Sequence, residues 1–228
     1  MKIGLLLSGC GVYDGAEIHE AVLSMLAIQE IGGEVVCIGV DKLQHHVINH
    51  LTGEKIPQER NMLVEAARIA RGAIVDITTI QPADIDALVI PGGFGSAKNF
   101  TSWAFDGPNS TILPEVKLLL VNLINVGKPI VALCVSPVVL AKALEDSGVH
   151  LNMTIGSSKE DSPYEIPSFE GGLQATGVTT EEKTVREILI DVENKVITAP
   201  CYMMEASLLE IRNNIQQAME GLKTLLNA

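Results

Sequence analysis

The chain has 228 residues, 47% of them hydrophobic, and 16 Lys+Arg against 28 Asp+Glu give a formal net charge of −12. That length and apolar fraction suit one globular domain over residues 1–228 and exclude a disordered or collagen-like chain. The acidic balance, with no basic patch, speaks against nucleic acid and against membrane surfaces as partners.

Four cysteines, Cys10, Cys37, Cys134 and Cys201, are widely spaced and form no C-x-x-C. They read as free thiols in a reducing cytoplasm rather than as a disulfide framework. No apolar run approaches the ~18 residues of a membrane-spanning helix. The opening run at residues 3–7 is too short for the core of a signal peptide.

In chain order, short apolar runs alternate with amphipathic ones. Residues 3–7 read as a buried strand ending in glycines. Residues 16–30 read as a helix carrying Ile18, Val22, Met25 and Leu26 on one face, stopped by Gly32 and Gly33. Residues 34–39 give a second strand, 41–60 a polar insertion, 61–71 a helix and 74–75 a short strand. The strand at 86–90 halts at Pro91-Gly92-Gly93-Phe94-Gly95. A helix over 113–126 has Pro114 in its first turn, where a missing N–H costs nothing. A strand over 128–133, a helix over 137–144, a strand at 153–155 and a loop-rich stretch over 156–172 follow. Residues 187–192 and 196–199 read as a hairpin, and 205–226 as a long amphipathic helix. The pattern predicts an α/β doubly wound, mostly parallel sheet with its binding crevice at the carboxyl ends of the strands.

Cys134 stands where a buried strand turns directly into a helix. That is the setting of a nucleophile elbow, and the helix N-terminus and its free N–H groups are expected to lower the thiol pKa. A buried, inert thiol is the plainer alternative. Gly92 and Gly93 suit backbone donation to an oxyanion, because glycine lets the chain approach a ligand closely. An acid or base is expected from the start of the first helix, where Glu17 competes with Asp14, Glu20 and His19.

Cofactor patterns fail on single residues. Gly9-Cys10-Gly11 leads to Asp14 where a dinucleotide fingerprint needs glycine, and His19-Glu20 is followed by Leu23 where a zinc protease needs histidine. His46 and His50 have the i,i+4 spacing of a helical metal pair without an evident third ligand. No cofactor and no metal are expected.

Three long stretches carry a resemblance: Ser8-Gly9-Cys10-Gly11-Val12-Tyr13-Asp14-Gly15-Ala16-Glu17-Ile18-His19-Glu20, Val47-Ile48-Asn49-His50-Leu51-Thr52-Gly53-Glu54, and Pro91-Gly92-Gly93-Phe94-Gly95-Ser96-Ala97-Lys98-Asn99. With Thr198-Ala199-Pro200-Cys201-Tyr202-Met203 they resemble the ElbB family of isoprenoid-biosynthesis-associated glyoxalase-like proteins, within the PfpI-type, class I glutamine-amidotransferase-like superfamily. The resemblance implies a flavodoxin-like fold, Cys134 as nucleophile, Glu17 as its acidic partner, and the backbone of Gly93 and Val135 as oxyanion donors. Cys10, His19 and Asn99 are candidate pocket residues.

The protease-like members carry a histidine directly after the cysteine, and here that residue is Val135. A Cys–Glu pair still suffices for glutathione-independent conversion of glyoxal or methylglyoxal to a hydroxy acid, with a small aldehyde as the partner molecule and a homodimer as the expected assembly. The second expectation is a non-catalytic, redox-responsive binding protein that keeps a low-pKa Cys134.

Overall fold

The computed structural model describes residues 1–227. Its elements are β1 (Lys2–Leu6), α1 (Ile18–Glu30), β2 (Glu34–Gly39), α2 (Met62–Ile69), β3 (Ile74–Asp76), β4 (Ala87–Ile90), α3 (Trp103–Asp106) and α4 (Pro114–Asn125). The second half contributes β5 (Ile130–Leu133), α5 (Pro137–Leu144), β6 (Asn152–Met153), α6 (Ile166–Ala175), β7 (Thr179–Thr180), β8 (Leu189–Asp191), β9 (Val196–Ala199) and α7 (Leu208–Asn227).

Seven strands form one sheet in the order β3-β2-β1-β4-β5-β9-β8. All neighbours are parallel except β8 and β9, which pair antiparallel as the predicted hairpin. Every residue of β4, β5 and β9 is buried, as expected of strands covered on both faces. This is the flavodoxin-like α/β fold that the alternation of apolar runs implies. Strand order reverses between β1 and β4, so a crevice opens outside their carboxyl ends, flanked by the end of β5.

Three sequence expectations differ from the structure. The strand at 153–155 pairs only through β6 with β7, in a separate two-stranded sheet. The stretch over 156–172 contains the start of α6, whose Pro167, Gly171 and Gly172 mask a helix held by burial of Ile166 and Leu173. On α1 the apolar stripe faces outward: Ile18, Val22 and Leu26 are exposed, while Glu20, Ala21, Ser24, Ala27 and Ile28 are buried. Small residues let α1 approach α7 and the sheet closely, and Glu20 is drawn inward by polar partners described below.

Candidate active site

Cys134 follows the last residue of β5 and takes φ +57°, a left-handed conformation rare for a side chain with a Cβ. The strain, of order 1–3 kcal/mol, is maintained by its surroundings. Its N–H donates to the carbonyl of Ala199 on β9 at 2.9 Å, while the Ser136 hydroxyl donates to the Pro91 carbonyl at 2.6 Å. These bonds pin both sides of the elbow. The result is the sharp strand-to-helix turn that the sequence predicts, with the side chain aimed into the crevice.

The loop after β4 closes over it. Glu17 N–H donates to Gly92 O at 2.9 Å, Phe94 N–H to Val12 O at 2.7 Å, and Gly95 N–H to Gly15 O at 2.9 Å, so the loops after β1 and β4 are clasped together. Glycine is required at Gly92, where an added Cβ would lie 2.4 Å from Cys134 Cβ, 2.8 Å from its Sγ and 2.7 Å from Glu20 Oε2. Thiol and carboxyl therefore meet over the bare Cα of Gly92.

The carboxyl placed at the thiol is that of Glu20. It is fully buried; its Oε2 accepts from Gly92 N–H at 2.7 Å and its Oε1 from Tyr202 N–H at 3.3 Å. Burial, with the neighbouring Glu17 charge, pushes Glu20 up to about 8. At neutral pH it holds a proton that it can exchange with the sulfur.

Glu17, the acidic partner that the resemblance implies, has another position. It is the N-cap of α1, its Oε2 accepting from Glu20 N–H at 2.7 Å, and burial raises its pKa despite that bond. One helical turn separates cap from core: Glu17 remains at the rim while Glu20 reaches Cys134.

The Cys134 thiol is 5% exposed, and its pKa is raised well above its ordinary value by burial and then by the charge of Glu20. Hydrogen bonds from the N–H groups of Gly93 and Val135 act in the opposite direction and do not cancel the shift. The expectation of a lowered thiol pKa is thereby corrected, because complete desolvation beside a carboxyl outweighs the field of a short helix. These are the two N–H groups for which the resemblance implies an oxyanion role, and both reach the sulfur.

The cavity over the thiol encloses ≈ 300 Å³, including its open mouth, and is lined by Val12, Phe94, Tyr164, Phe169, Tyr202 and Met203 beside Cys134. Desolvation, and then the charges of Cys134 and Glu20, push the Tyr164 hydroxyl up to about 12, so it stays protonated. Tyr202, which sequence reasoning left without a role, supplies a wall and the N–H to Glu20. The signal was available in its place just past the end of β9, the strand beside β5.

Other candidates lie elsewhere. His19 is at the outer rim, its Nδ1 2.9 Å from the Tyr202 hydroxyl and 4.0 Å from Glu17 Oε1. Cys10 faces Glu65, Arg68 and Asp14, and its pKa is raised chiefly by burial. Asn99 is a tie between loops: its amide donates to the carbonyls of Ser8 and Asp14, both at 2.9 Å, and its oxygen accepts from His45 N–H at 2.8 Å. His46 and His50 lie in a non-helical insertion, so their spacing does not align them; His46 packs on His45 and Phe105, whereas His50 packs on Tyr13. Cys201, fully buried with φ +45°, donates its N–H to Asn214 Oδ1 at 3.0 Å.

No family model matches the chain. The human glutamine amidotransferase-like class 1 domain-containing protein 3, mitochondrial, is 39% identical over 218 residues, covering 94% of this chain and 79% of its own length. The rat ES1 protein homolog, mitochondrial, is 38% identical over 218 residues, covering 94% and 80%. Among solved structures, an isoprenoid biosynthesis protein with amidotransferase-like domain from Ehrlichia chaffeensis superposes with a TM-score of 0.89 at 35% identity over 99% of both chains. Glyoxalase III from Candida albicans shares the fold, with a TM-score of 0.59 at 12% identity over 97% of both chains.

These relatives correct the expectation of a cytoplasmic location, since the human and rat proteins are mitochondrial. Unpaired thiols report a redox condition that more than one compartment supplies. No helix among the described residues is long and apolar enough to cross a membrane.

Proposed function

Because the chain belongs to the family of the ES1 and glutamine amidotransferase-like class 1 domain-containing proteins, we propose that it is a cofactor-independent enzyme of carbonyl compounds, converting small 2-oxoaldehydes to hydroxy acids. The observation that carries this reading is the pair Cys134–Glu20, a strained nucleophile with a protonated carboxyl at its sulfur and two N–H donors beside it.

The steps follow from those positions. The thiol adds to the aldehyde carbon of methylglyoxal, its proton passes by way of Glu20 to the carbonyl oxygen, and a hemithioacetal forms. Gly93 and Val135 N–H groups stabilise the developing oxyanion. Glu20 then releases its proton to solvent, as a pKa of about 8 allows; as a carboxylate it removes the proton from the thiol-bearing carbon to give an ene-diolate and returns it to the adjacent carbon, while the hydroxyl proton moves to the neighbouring oxygen. The resulting thioester is hydrolysed by water, releasing lactate and the free thiol. Methylglyoxal and one water give lactate, with no net oxidation.

A carboxyl with pKa about 8 is matched to both directions of proton transfer near neutrality. The thiol, although rarely ionised when free, is deprotonated in the act of addition. Amide hydrolysis has less support: among the described residues no histidine lines the cavity over Cys134, and Val135 occupies the position after the nucleophile. The redox-responsive alternative requires a low-pKa thiol, and the shift at Cys134 runs the other way.

The test is direct. Purified protein incubated with methylglyoxal, without glutathione, is expected to release lactate in proportion to enzyme. Absence of lactate above the protein-free rate would overturn the reading.

A further inference from the structure

Adjoining the cavity over Cys134 is a second, larger depression that a two- or three-carbon aldehyde seated at the thiol would leave unfilled. Counting the open space at their mouths, it holds ≈ 680 Å³ against ≈ 300 Å³ over the thiol, and the two share Phe94, Val135 and Phe169. Val135 is the residue whose N–H faces the sulfur, so reaction centre and groove border one residue. Further walls come from α3, the turn Gly107–Asn109 and α6, through Trp103, Ala104, Pro108 and Gly172, with no charged side chain among the lining residues.

The groove is firmly constructed. Trp103 is only 6% exposed, and its ring edge lies where α6 has no side chain: a Cβ on Gly172 would stand 2.9 Å from Trp103 Cζ2. The Pro108 carbonyl is held at 2.7 Å by the ammonium of Lys142, a 7% exposed lysine that is also paired with Glu145. A buried cation thus fixes the turn from behind while the face toward the groove stays apolar. Three aromatic side chains, Phe94, Trp103 and Phe169, line the groove, and aromatic walls favour offset-stacked or edge-to-face contact with a ring.

We propose that the preferred carbonyl substrate carries an aryl substituent, which this groove receives while the aldehyde sits at Cys134. The inference rests on the carbonyl reading above and narrows it. Methylglyoxal offers only a methyl group to the groove, whereas a ring gains the transfer of its apolar surface from water and edge-to-face contact with aromatic walls. Phe94 and Val135 then set specificity by dividing the space in which the carbonyl reacts from the space in which the substituent rests.

The experiment uses phenylglyoxal with methylglyoxal, and their hydroxy acids mandelate and lactate. Trp103 is the only tryptophan in the chain, so its fluorescence reports groove occupancy without any turnover. Mandelate is expected to shift Trp103 emission and to bind at least tenfold more tightly than lactate, and kcat/KM is expected to favour phenylglyoxal by at least tenfold. Both preferences are expected to fall to about one in Gly172→Leu. They fall likewise in Ala104→Phe, an exposed-helix change that fills the groove without pressing on Trp103. Equal binding of the two acids, or a preference unchanged in both variants, would overturn the inference. If lactate forms but no aryl preference exists, the groove assignment fails alone. If neither aldehyde is converted, the carbonyl reading fails, and mandelate binding still decides the groove.

Discussion

The Glu20 carboxyl and the Cys134 thiol share the space above Gly92, and desolvation raises the proton affinity of both, joined at Glu20 by the charge of Glu17 and at Cys134 by the charge of Glu20. That relationship makes the pair hold protons at neutral pH and exchange them with a bound carbonyl. It also separates thiol reactivity from turnover. Glu20→Gln removes a charge that opposes thiolate formation, so alkylation of Cys134 by iodoacetamide is expected to reach half its plateau at lower pH than in the native protein. Turnover in the same variant is expected to fall. An unchanged alkylation profile would show that Glu20 does not act on the sulfur.

Stability should carry the same signature. The Glu20 pKa is raised from 4.5 to about 8 on folding, so between those values the native state binds the proton that the unfolded state has lost. Its contribution is fully present below pH 4.5 and is lost as pH rises to 8, at up to about 1.4 kcal/mol per pH unit. The native protein should therefore lose Tm over this window relative to Glu20→Gln, measured in parallel so that the general effect of an acidic chain cancels. A Tm difference constant from pH 5 to pH 8 would contradict the shift.

Gly92→Ala is expected to disable the site without touching a reacting group. The new Cβ would stand 2.4 Å from Cys134 Cβ and 2.7 Å from Glu20 Oε2, contacts relieved only by moving the elbow. Overpacking of this kind costs about 1–3 kcal/mol. Calorimetry should show that loss together with activity reduced at least a hundredfold; native activity in a stable Gly92→Ala protein would mean that thiol and carboxyl need not meet there.

Glu17 should behave as a cap. Its carboxylate accepts from Glu20 N–H at 2.7 Å, and loss of an N-cap side chain typically costs about 1 kcal/mol. Glu17→Ala is thus expected to lower stability by that amount in denaturant unfolding. Glu17→Asp, which keeps a short acceptor at the cap, should recover most of it, and an identical deficit in the two variants would argue against capping.

Much of the fold was legible in the chain, and the reason is local. Fully buried strands such as β4 and β5 are written as unbroken apolar runs, and the residues that end them, Gly92 and Cys134, mark the crevice. The long-range choices were not. Glu17 and Glu20 lie one helical turn apart, and what selects Glu20 is a pair of N–H groups from Gly92 and Tyr202, 72 and 182 residues away. The apolar stripe of α1 misled for the same reason, since close packing rewarded Ala21, Ser24 and Ala27. The thiol pKa was misjudged because helix geometry can be read from sequence while complete burial beside a carboxyl cannot. The wall of the aryl groove was hidden by Pro167, Gly171 and Gly172, which read as loop residues until Ile166 and Leu173 are seen in the core.

The most direct test compares lactate formation from methylglyoxal by the native protein, Cys134→Ala, Glu20→Gln and Glu17→Gln in one assay, each checked for folding by circular dichroism. Activity should vanish in Cys134→Ala, drop at least a hundredfold in Glu20→Gln, and stay within tenfold of native in Glu17→Gln. Undiminished lactate from Cys134→Ala, or a loss in Glu17→Gln exceeding that in Glu20→Gln, would contradict the account.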